Sequence, residues 1–417
     1  MKTTMVIPSY WRREAALETK KSDTTYDHPT PVDDEGTLAR ALESISILDD
    51  KDFDLVIIAV SNAPDVEKKV EQKVANILSA TSIDVPVYLF SHSHLQNMQL
   101  CLKEAGGEEY MHLLKLSGYS NIRNLCLFLP HVLDSEIAVL IDDDEIFEDP
   151  QFIRKAREFI GKTIDSDFIG AVAGYYLQPD GDWRLQHERK PWMRYWDKLD
   201  KMNEAFEQII GHEPRLKQTP FVFGGNMIVH RDIFRLIPFD PIVTRGEDID
   251  YLINMRMNGY KLFLDNALAI KHLPPSKTHS TWKQIREDIF RFVRERAKLC
   301  SQEPLHGMMT VIPEELDPYP GAFLKDDLEQ KITDACQVLA DIYRNDGKEE
   351  DVIETLRNIE IVRVEAASKE NNFLRFMELQ HQWRKMMQLS ERKDIRTKLQ
   401  NIIGDGVTSL GHLHKSW

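Results

Sequence analysis

The chain has 417 residues, of which 42% are hydrophobic, and its formal net charge at pH 7 is -15. This length and composition are typical of a globular protein with one large domain or two ordinary domains. The acidic balance argues against a nucleic-acid partner, because phosphate contacts require Lys and Arg clustered on one face.

The four cysteines show no CxxC spacing, so the sequence indicates neither a zinc site nor a disulfide framework and favours a reducing compartment. No run of 18 or more apolar residues occurs, and the first residues are typical of a strand rather than of a signal peptide. We therefore expect a cytoplasmic protein without an integral membrane segment. The sequence leaves the oligomeric state open, with a homodimer as one option.

Strand-like and helix-like segments alternate over the first 280 residues, which predicts an α/β domain. The predicted strands, in chain order, are TMVIPS, FDLVIIAVS, VPVYLFS, EIAVLID, FIGAVAGYY, FVFGGNMIVH and YKLFLD. A polar insertion, residues 14–36, separates the first strand from a helix predicted to begin near Thr37. Loops after strands of open α/β sheets normally border ligand sites, so we expect this insertion to lie beside one.

Strand signals nearly vanish after residue 280, and helical patterns follow at 281–299, 324–344 and 349–399. We therefore divide the chain into a domain of residues 1–280 and a helical C-terminal region of residues 281–417. The proline-rich stretch at 301–321, which contains ELDPYPG, is interpreted as a connector or a lid.

The predicted strand EIAVLI leads directly into four acids, Asp142, Asp143, Asp144 and Glu145. Like charges this close repel one another, which indicates a cation nearby. The DxD spacing of Asp142 and Asp144 suits a hard divalent ion such as Mg²⁺ or Mn²⁺. An isolated acidic run is more often a solvated turn or a helix start, but the end of a strand in an α/β sheet is where ligands bind.

Further motifs follow in a defined order around the acids. SNIRN lies at the start of a predicted helix, and the paired glycines of GGNMIVHR indicate a close approach of the backbone to another group. RGEDIDY places acids in the first turn of a helix, and IKH ends the last strand. The residues that these motifs contribute are Arg123, Asn124, Gly224, Gly225, Glu247, Asp248 and His272.

Taken together in this order, VIPSY, SNIRN, IDDDE, GGNMIVHR, RGEDIDY and IKH resemble the GT-A fold of nucleotide-sugar glycosyltransferases, particularly glycosyltransferase family 2. The resemblance covers residues 3–275 and leaves out the helical tail. It implies an α/β, Rossmann-like fold with a mixed central sheet, to which an α-helical C-terminal extension is added. Two features depart from the family pattern: Trp11 stands where Asn is common, and the insertion before the first helix is unusual.

The resemblance implies transfer of a sugar from a nucleoside-diphosphate sugar donor to a hydroxyl of a soluble acceptor, either a small molecule or a saccharide, with Mn²⁺ or Mg²⁺. By this correspondence Asp144 is the direct metal ligand, and Asp142 lies towards the ribose or a metal-bound water. His272 is a further ligand, although a structural role for a lone His after a strand stays equally open.

The same resemblance implies the donor contacts. Arg123 would reach a phosphate or the base, and Pro8, Ser9 and Tyr10 would line the nucleoside end. A solvated Arg at a helix start and a Tyr packed in the core are the alternatives for two of these residues. The other donor contacts implied by the motifs are Asp142, Asp143, Gly224 and Gly225.

Asp248 matches the acid that serves as base in inverting family members, and Glu247 would orient the acceptor or the base. A helix N-terminus favours the ionised carboxylate, although acids in a first turn are also an ordinary pattern. We therefore expect inversion. A retaining GT-A enzyme, for example with a glycerate or phosphoglycerate acceptor, is the main alternative.

Three other classes fit the residues less well. A nucleotidyltransferase would need a Gly-rich basic loop after the first strand, and none is present. A phosphatase with an aspartyl nucleophile would need an Asp where Ser9 and Tyr10 stand. A binding module without activity would not need acids at both the metal and the base positions.

Residues 174–199 mix aromatic residues with cations. Aromatic faces stack on sugar rings, and cations bind anionic groups, so this stretch is a candidate acceptor surface. A hydrophobic seam beneath the helical tail explains the aromatic residues equally well. The residues concerned are Tyr175, Tyr176, Trp183, Trp192 and Trp196, with Arg184, Arg189 and Lys190 among them.

Overall fold

The computed structural model describes residues 1–17, 20, 22–275, 280–303, 305–366 and 369–405. The strands of this part are β1 (Thr3–Arg12), β2 (Thr30–Pro31), β3 (Asp54–Ser61), β4 (Val87–Phe90), β5 (Ile137–Ile141), β6 (Glu145–Ile146), β7 (Thr163–Ile164), β8 (Asp167–Phe168), β9 (Ala171–Leu177), β10 (Leu216–Gln218), β11 (Asn226–His230) and β12 (Phe263–His272).

The α-helices are α1 (Leu38–Ser44), α2 (Glu67–Ala80), α3 (His92–Glu104), α4 (Tyr119–Val132), α5 (Phe152–Phe159), α6 (Lys198–Ile210), α7 (Arg231–Phe234), α8 (Glu247–Met257), α9 (Thr281–Cys300), α10 (Leu328–Asn345), α11 (Glu349–Ala366), α12 (Asn372–Ser390) and α13 (Lys393–Gly404). Short 3₁₀ helices lie at Ile45–Ile47, Pro64–Val66, Glu108–Leu113, Pro191–Arg194, Pro313–Leu316 and Gly321–Phe323.

A mixed sheet with the strand order β10-β12-β9-β11-β5-β1-β3-β4 forms the centre of the molecule. Strands β4, β3, β1 and β5 are parallel, whereas β11 runs antiparallel to both β5 and β9. Strand β12 is parallel to β9. The carboxyl ends of β1, β5, β9 and β12 therefore meet the start of β11 at one edge, the edge at which open α/β sheets bind ligands.

The side chains of the sheet alternate between two cores, as the two-residue period of a strand requires. Met5 and Ile7 pack in a core with α1, α2 and α5. Val6 packs on the other face with α4 and the C-terminal helices, including Ile289 and Phe292 of α9. The helical region thus shares one hydrophobic core with the sheet, and the domain boundary at residue 280 stays a prediction.

The predicted α/β class, the mixed sheet and the helical C-terminal extension are confirmed. The helix predicted near Thr37 begins at Leu38. The pattern at 349–399, however, is not continuous and forms α11, α12 and the start of α13. Asn371 begins a new helix there, because its side chain accepts a hydrogen bond from the Leu374 N–H at 2.9 Å and so caps the first turn of α12.

Residues 311–321 of the connector are packed against the rest of the fold, whereas Leu305 and Met309 are exposed. Leu316 and Tyr319 are buried, and the Arg256 guanidinium donates to the Glu315 carbonyl oxygen at 3.0 Å. Gln302 exchanges hydrogen bonds with the backbone of Val311. Of the two interpretations, a connector or a lid, these contacts favour the connector, which forms one wall of the fold.

Candidate functional site

A cavity of about 970 Å³ opens at the edge where β1, β5, β9 and β12 end. Ligand pockets typically measure roughly 300–1,000 Å³, so this one has room for two small molecules. We call the part lined by Asp144 and His272 the strand side, and the part lined by Arg291 and Tyr319 the helix side. The insertion after β1 also contributes Asp27 and His28, as its position in the sequence predicted.

Asp144 and His272 lie next to each other at the ends of β5 and β12. His272 Nε2 is 3.4 Å from Asp144 Oδ2, and the His272 ring stacks on Tyr176 with centroids 4.7 Å apart. Burial alone would raise the pKa of Asp144, but the contacts with His272 and the charge of His28 outweigh it, and the pKa is lowered. The pair offers an oxygen and a nitrogen of the kinds that divalent metals bind.

Asp142 is turned towards Arg123. Its Oδ1 lies 2.9 Å from Nη1 and its Oδ2 accepts from Nη2 at 3.0 Å. Arg123 is only 4% exposed, and its Nε also lies 3.4 Å from Glu247 Oε1. Two carboxylates thus compensate the charge of this buried guanidinium. The structure therefore pairs Asp144 with His272 and Asp142 with Arg123, and the assignment of Asp142 to the metal stays a prediction.

Asp143 is directed back towards β1. Its Oδ2 accepts a hydrogen bond from Ser9 Oγ at 2.6 Å, and Trp11 Nε1 donates to the same hydroxyl at 2.9 Å. Burial and the neighbouring charge of Asp144 raise the pKa of Asp143 to about 8. Asp143 therefore connects the ends of β5 and β1, although it also lines the cavity.

Of the three residues expected at the nucleoside end, only one lines the cavity. Pro8 and Ser9 are buried within β1, whereas Tyr10 lines the cavity. The Tyr10 ring packs against Tyr26 and Tyr119, with centroids 4.7 and 5.4 Å apart. The alternative of a core-packing tyrosine therefore describes Tyr10 well, and the aromatic cluster closes the cavity beside β1.

Gly225 and Gly224 allow the backbone before β11 to approach the acids. A Cβ atom at Gly225 would clash with the carboxylates of Glu145 and Asp142. The Gly225 N–H donates to the Tyr176 hydroxyl at 2.8 Å, and the Gly224 N–H donates to Asp248 Oδ2 at 3.2 Å. The backbone at these glycines therefore makes the predicted close approach, and it approaches side chains of the protein itself.

The first turn of α8 brings two acids to the cavity in different environments. Burial and the charge of Asp248 raise the pKa of Glu247 to about 7, although Arg123 opposes the shift. Asp248 accepts hydrogen bonds from the Gly224 N–H and, at 2.8 Å, from the Ile249 N–H. Asp248 is thus held in place by backbone donors, while Glu247 faces Arg123.

The residues of the aromatic stretch at 174–199 lie partly in the interior and partly at the surface or the cavity. Trp192 and Trp196 are buried, and the Trp196 ring lies 5.8 Å from Phe292 and 4.9 Å from Phe323, which agrees with a seam beneath the helical tail. The cations of the stretch differ. Arg184 and Arg189 lie at the surface beside Glu207 and Asp200, and Lys190 lines the cavity.

Sequence reasoning missed the polar residues that α9 brings to the helix side. Asp288, Arg291, Glu295 and Lys298 recur every three or four residues, so they share one face of the helix, and all four are buried. The recurrence was readable in the sequence. A helix face that carries charges of both signs is usually exposed to solvent, however. The apolar stripe was by itself sufficient to predict the helix, so the charged face was not considered as part of a site.

The donor set fits a metal ion that is shared with a ligand. Among the described residues, no group of three or more His, Cys, Asp or Glu side chains is arranged to hold a metal ion. Asp144 and His272 supply two donors, and Mg²⁺ is usually held by one or two protein groups together with phosphate oxygens and water. The residues present therefore suit an ion bound together with a phosphate-bearing molecule.

Two further findings concern the whole chain. Within the described ranges, no helix combines the length and the apolar character needed to cross a membrane. The four cysteines are free thiols, of which Cys300 is exposed and the other three are buried.

No protein-family model matches the chain, and no curated protein matches it. Among solved structures it is similar to the mannosyltransferase PcManGT from Pyrobaculum calidifontis in complex with GDP-Man and Mn²⁺, with 13% identity, coverage of 94% of this chain and 87% of that chain, and a TM-score of 0.45. It is also similar to a mycobacterial protein, with 16% identity, 69% and 71% coverage, and a TM-score of 0.38.

A third similar structure is GalNAc-T7 with UDP, GalNAc and Mn²⁺, with 13% identity, coverage of 74% of this chain and 53% of that chain, and a TM-score of 0.30. Two of the three are thus glycosyltransferases, the class that the sequence motifs resemble. At these TM-scores the similarities carry no argument about function. The function has to be inferred from the cavity and its residues.

Proposed function

We propose that the chain is a metal-dependent, inverting glycosyltransferase that moves a sugar from a nucleoside-diphosphate sugar to a hydroxyl of a soluble acceptor. The observation that carries the proposal is that the Asp144–His272 pair and the Asp248 carboxylate line one cavity at the ligand-binding edge of the sheet. The motifs that resemble GT-A enzymes provide these same three residues. The free thiols support a cytoplasmic location.

The charges of the strand side support metal dependence. Asp142, Asp143 and Asp144 line this side, and the Arg123 guanidinium is already engaged by Asp142 and Glu247. A diphosphate brought here would meet carboxylates, and the guanidinium beside them is already paired. Held by Asp144 and His272, Mn²⁺ or Mg²⁺ would supply the positive charge that stabilises a leaving nucleoside diphosphate.

The environments of the two acids in α8 support different roles. Asp248 accepts two backbone hydrogen bonds at the N-terminus of α8, which fix the direction of its carboxylate. In the proposal it takes the proton of the acceptor hydroxyl. Glu247 lies 3.4 Å from Arg123 and orients that guanidinium, which in turn holds Asp142.

The test is incubation of the full chain with a panel of nucleotide sugars and Mn²⁺, with candidate acceptors added. We expect release of a nucleoside diphosphate that stops in EDTA and resumes when Mn²⁺ or Mg²⁺ is restored. Release of pyrophosphate would indicate a nucleotidyltransferase instead, and release of inorganic phosphate would indicate a phosphatase. Full turnover in EDTA would contradict metal dependence.

A further inference from the structure

Two of the charged positions on the buried face of α9 are paired with other charged residues. Lys298 pairs with Asp240 at 3.1 Å and with Asp250 at 2.5 Å. Asp288 accepts hydrogen bonds from Lys198 at 2.6 and 2.7 Å through both of its oxygens. Buried charges are tolerated when they are paired, and these two positions satisfy that condition.

Arg291 on the same face keeps part of its hydrogen-bonding capacity unused. Its Nε donates to Glu295 Oε1 at 3.2 Å, but its Nη2 has no hydrogen-bond partner among the residues that the structure describes. The residue is 7% exposed and lines the cavity. A buried charged donor without a partner destabilises the folded state, and a bound ligand that accepts its hydrogen bond would remove that cost.

Glu295 compensates the Arg291 charge only in part. Its second oxygen, Oε2, also finds no partner within the described part of the chain. Burial raises the pKa of Glu295 to about 8, against the opposing effect of Arg291, so this carboxyl is largely neutral at pH 7. The charges of Asp248 and Asp288 also act on the guanidinium, but neither carboxylate forms a hydrogen bond with it among the contacts of the described residues.

Packing holds the Arg291 guanidinium in place beside the start of α8. Its Cζ lies 4.8 Å from the ring centroid of Phe292 and 5.7 Å from that of Tyr319. Gly246, with a φ of +73°, lies against the guanidinium so closely that a Cβ atom there would clash with Nε and Cζ. Because Gly246 precedes Glu247 and Asp248, a group bound to Arg291 lies near the proposed base.

Other buried cations of the cavity are already engaged. Arg245 Nη2 donates to Asp27 at 2.8 Å, and its Nη1 donates to Glu287 at 2.5 Å. Lys198 is taken by Asp288 as described above. Arg184 and Arg189, which the sequence suggested for an anionic group, lie at the surface beside acids of their own. Arg291 is therefore the best-placed guanidinium for a ligand on the helix side.

We propose that the acceptor carries an oxyanion group, a carboxylate or a phosphate monoester, and that the Arg291 guanidinium binds this group. The contact holds the acceptor hydroxyl within reach of Asp248. Guanidinium groups suit both oxyanions, because their planar N–H donors match the oxygens in geometry and charge. This inference rests on the proposed function and adds the chemical class of the acceptor.

The test measures binding of glycerol 3-phosphate, lactate and glycerol to the full chain by titration calorimetry. It is carried out in EDTA, and again with Mn²⁺ and saturating GDP or UDP, which occupy the strand side. We expect at least one anionic probe to bind at least tenfold more tightly than glycerol in one of these conditions. Which of the two anions binds distinguishes a phosphate from a carboxylate group.

Two variants assign the binding to Arg291. Arg291→Gln should weaken binding of the anionic probe roughly 10- to 100-fold, as loss of a charge-assisted hydrogen bond predicts. The matched control is Arg286→Gln on the same helix, because Arg286 binds Asn358 and Glu354 and does not line the cavity. Arg291→Lys keeps the charge that faces Glu295 and is the second variant if the first does not fold.

Equal binding of all three probes by the wild-type chain would overturn the inference, whatever the variants do. Unchanged binding of the anionic probe in a folded Arg291 variant would overturn it as well. Binding of nucleotide sugars with Mn²⁺ is measured in parallel. If nucleotide sugars bind but no anion is preferred, only this inference fails; if no nucleotide sugar binds, the proposed function fails.

Discussion

The strand side and the helix side of the cavity balance their charges in different ways. On the strand side, Asp142, Asp143 and Asp144 follow one another directly. Arg123 pairs with Asp142, His272 lies beside Asp144, and burial with the charge of Asp144 raises the pKa of Asp143 to about 8. On the helix side, Lys198 and Asp288 neutralise each other, although they come from different helices and are 90 positions apart in the chain.

This difference indicates what each side requires from outside. Consecutive acids after a strand cannot separate, so their repulsion must be relieved by neutralisation or by an external cation. Charges that come from separate elements can be arranged in pairs as the fold packs. The proposed function adds a metal ion to the strand side, and the proposed acceptor adds an anion to the helix side at Arg291, whose Nη2 has no hydrogen-bond partner among the described residues.

The largest effect is expected from Asp144→Asn, which tests the strand side. Loss of this carboxylate should reduce Mn²⁺-dependent diphosphate release to background. The affinity for Mn²⁺, followed by electron paramagnetic resonance of the free ion, should fall by more than the roughly 10- to 100-fold expected for a residue that only supports a ligand. Asp142→Asn is the matched comparison, because Asp142 is engaged by Arg123.

Asp142→Asn should retain most of the Mn²⁺ affinity if the structure assigns the two acids correctly. Equal losses of affinity in both variants would restore the DxD interpretation, in which both acids serve the ion. Unchanged Mn²⁺ affinity in Asp144→Asn would show that Asp144 and His272 do not bind the ion.

Asp248→Asn tests the group between the two sides. Loss of the general base should lower the rate of transfer by about 10²- to 10⁴-fold and leave donor binding nearly unchanged. Glu247→Gln, which keeps an acceptor for Arg123, should cost less. Steady-state kinetics with separate measurement of donor binding checks both expectations.

The stereochemistry of the product checks the same assignment without a mutation. An inverting enzyme converts an α-linked donor into a β-linked product, which proton NMR of fresh product detects. An α-linkage from an α-donor would move the chain to the retaining enzymes. Asp248 would then bind the acceptor rather than act as base.

Lys298→Met tests the internal pairing of the helical region. Removal of the ammonium leaves Asp240 and Asp250 buried without it, and breaking a buried pair typically lowers the free energy of unfolding by about 3–5 kcal/mol. Lys103→Met is the control, because Lys103 and its partner Glu108 are exposed and such pairs contribute at most about 1 kcal/mol. Equal losses in urea denaturation would show that the buried pairing is not needed.

The smallest effect is expected from acid, at the contact between the helical region and α4. His131 is buried, with its Nε2 3.0 Å from Ser390 Oγ of α12, and burial together with the charge of Arg396 lowers its pKa to about 3. The unfolded chain takes up this proton near pH 6.5, so the folded state loses about 1.4 kcal/mol of stability per pH unit as the pH falls below that value.

His131→Gln removes the titrating group and should flatten the dependence of the unfolding free energy on pH between about 6.5 and 4. The comparison is made on urea denaturation curves at matched pH. An identical slope for the wild type and the variant would assign the acid sensitivity to other groups.

Much of the fold and part of the site follow from short stretches of sequence. β5 reads IAVLI, a continuous apolar run, because a parallel strand covered on both faces buries every side chain. Asp144 and His272 were found because Asp144 lies three residues after β5 and His272 is the last residue of β12. β9 and β11 lie between β12 and β5 in the sheet, and the pairing of His272 with Glu145 of β6 brings His272 beside Asp144. The ligand-binding edge was therefore predictable from local patterns, whereas this contact depends on the fold.

Other features depended on contacts between distant residues. The spacing of Asp142 and Asp144 predicted a common direction, but the turn after β5 and the buried Arg123 of α4 set Asp142 apart. The sequence pattern of α9 did not indicate whether Arg291 is solvated or buried. Burial of a charged side chain on a helix depends on which other elements pack against that face. Only the arrangement of α8, the connector and α9 around Gly246 decides that.

The sequence by itself therefore determined the α/β class, the order of the strands along the chain and the acids at the strand ends, since these depend on periodicity and on neighbours within a few residues. Tertiary structure decided which charges meet. Pairing depends on distances between elements far apart in the chain, and burial makes an unpaired charge costly enough to select one arrangement. The free donor of Arg291 is a property of that arrangement and is absent from any local pattern.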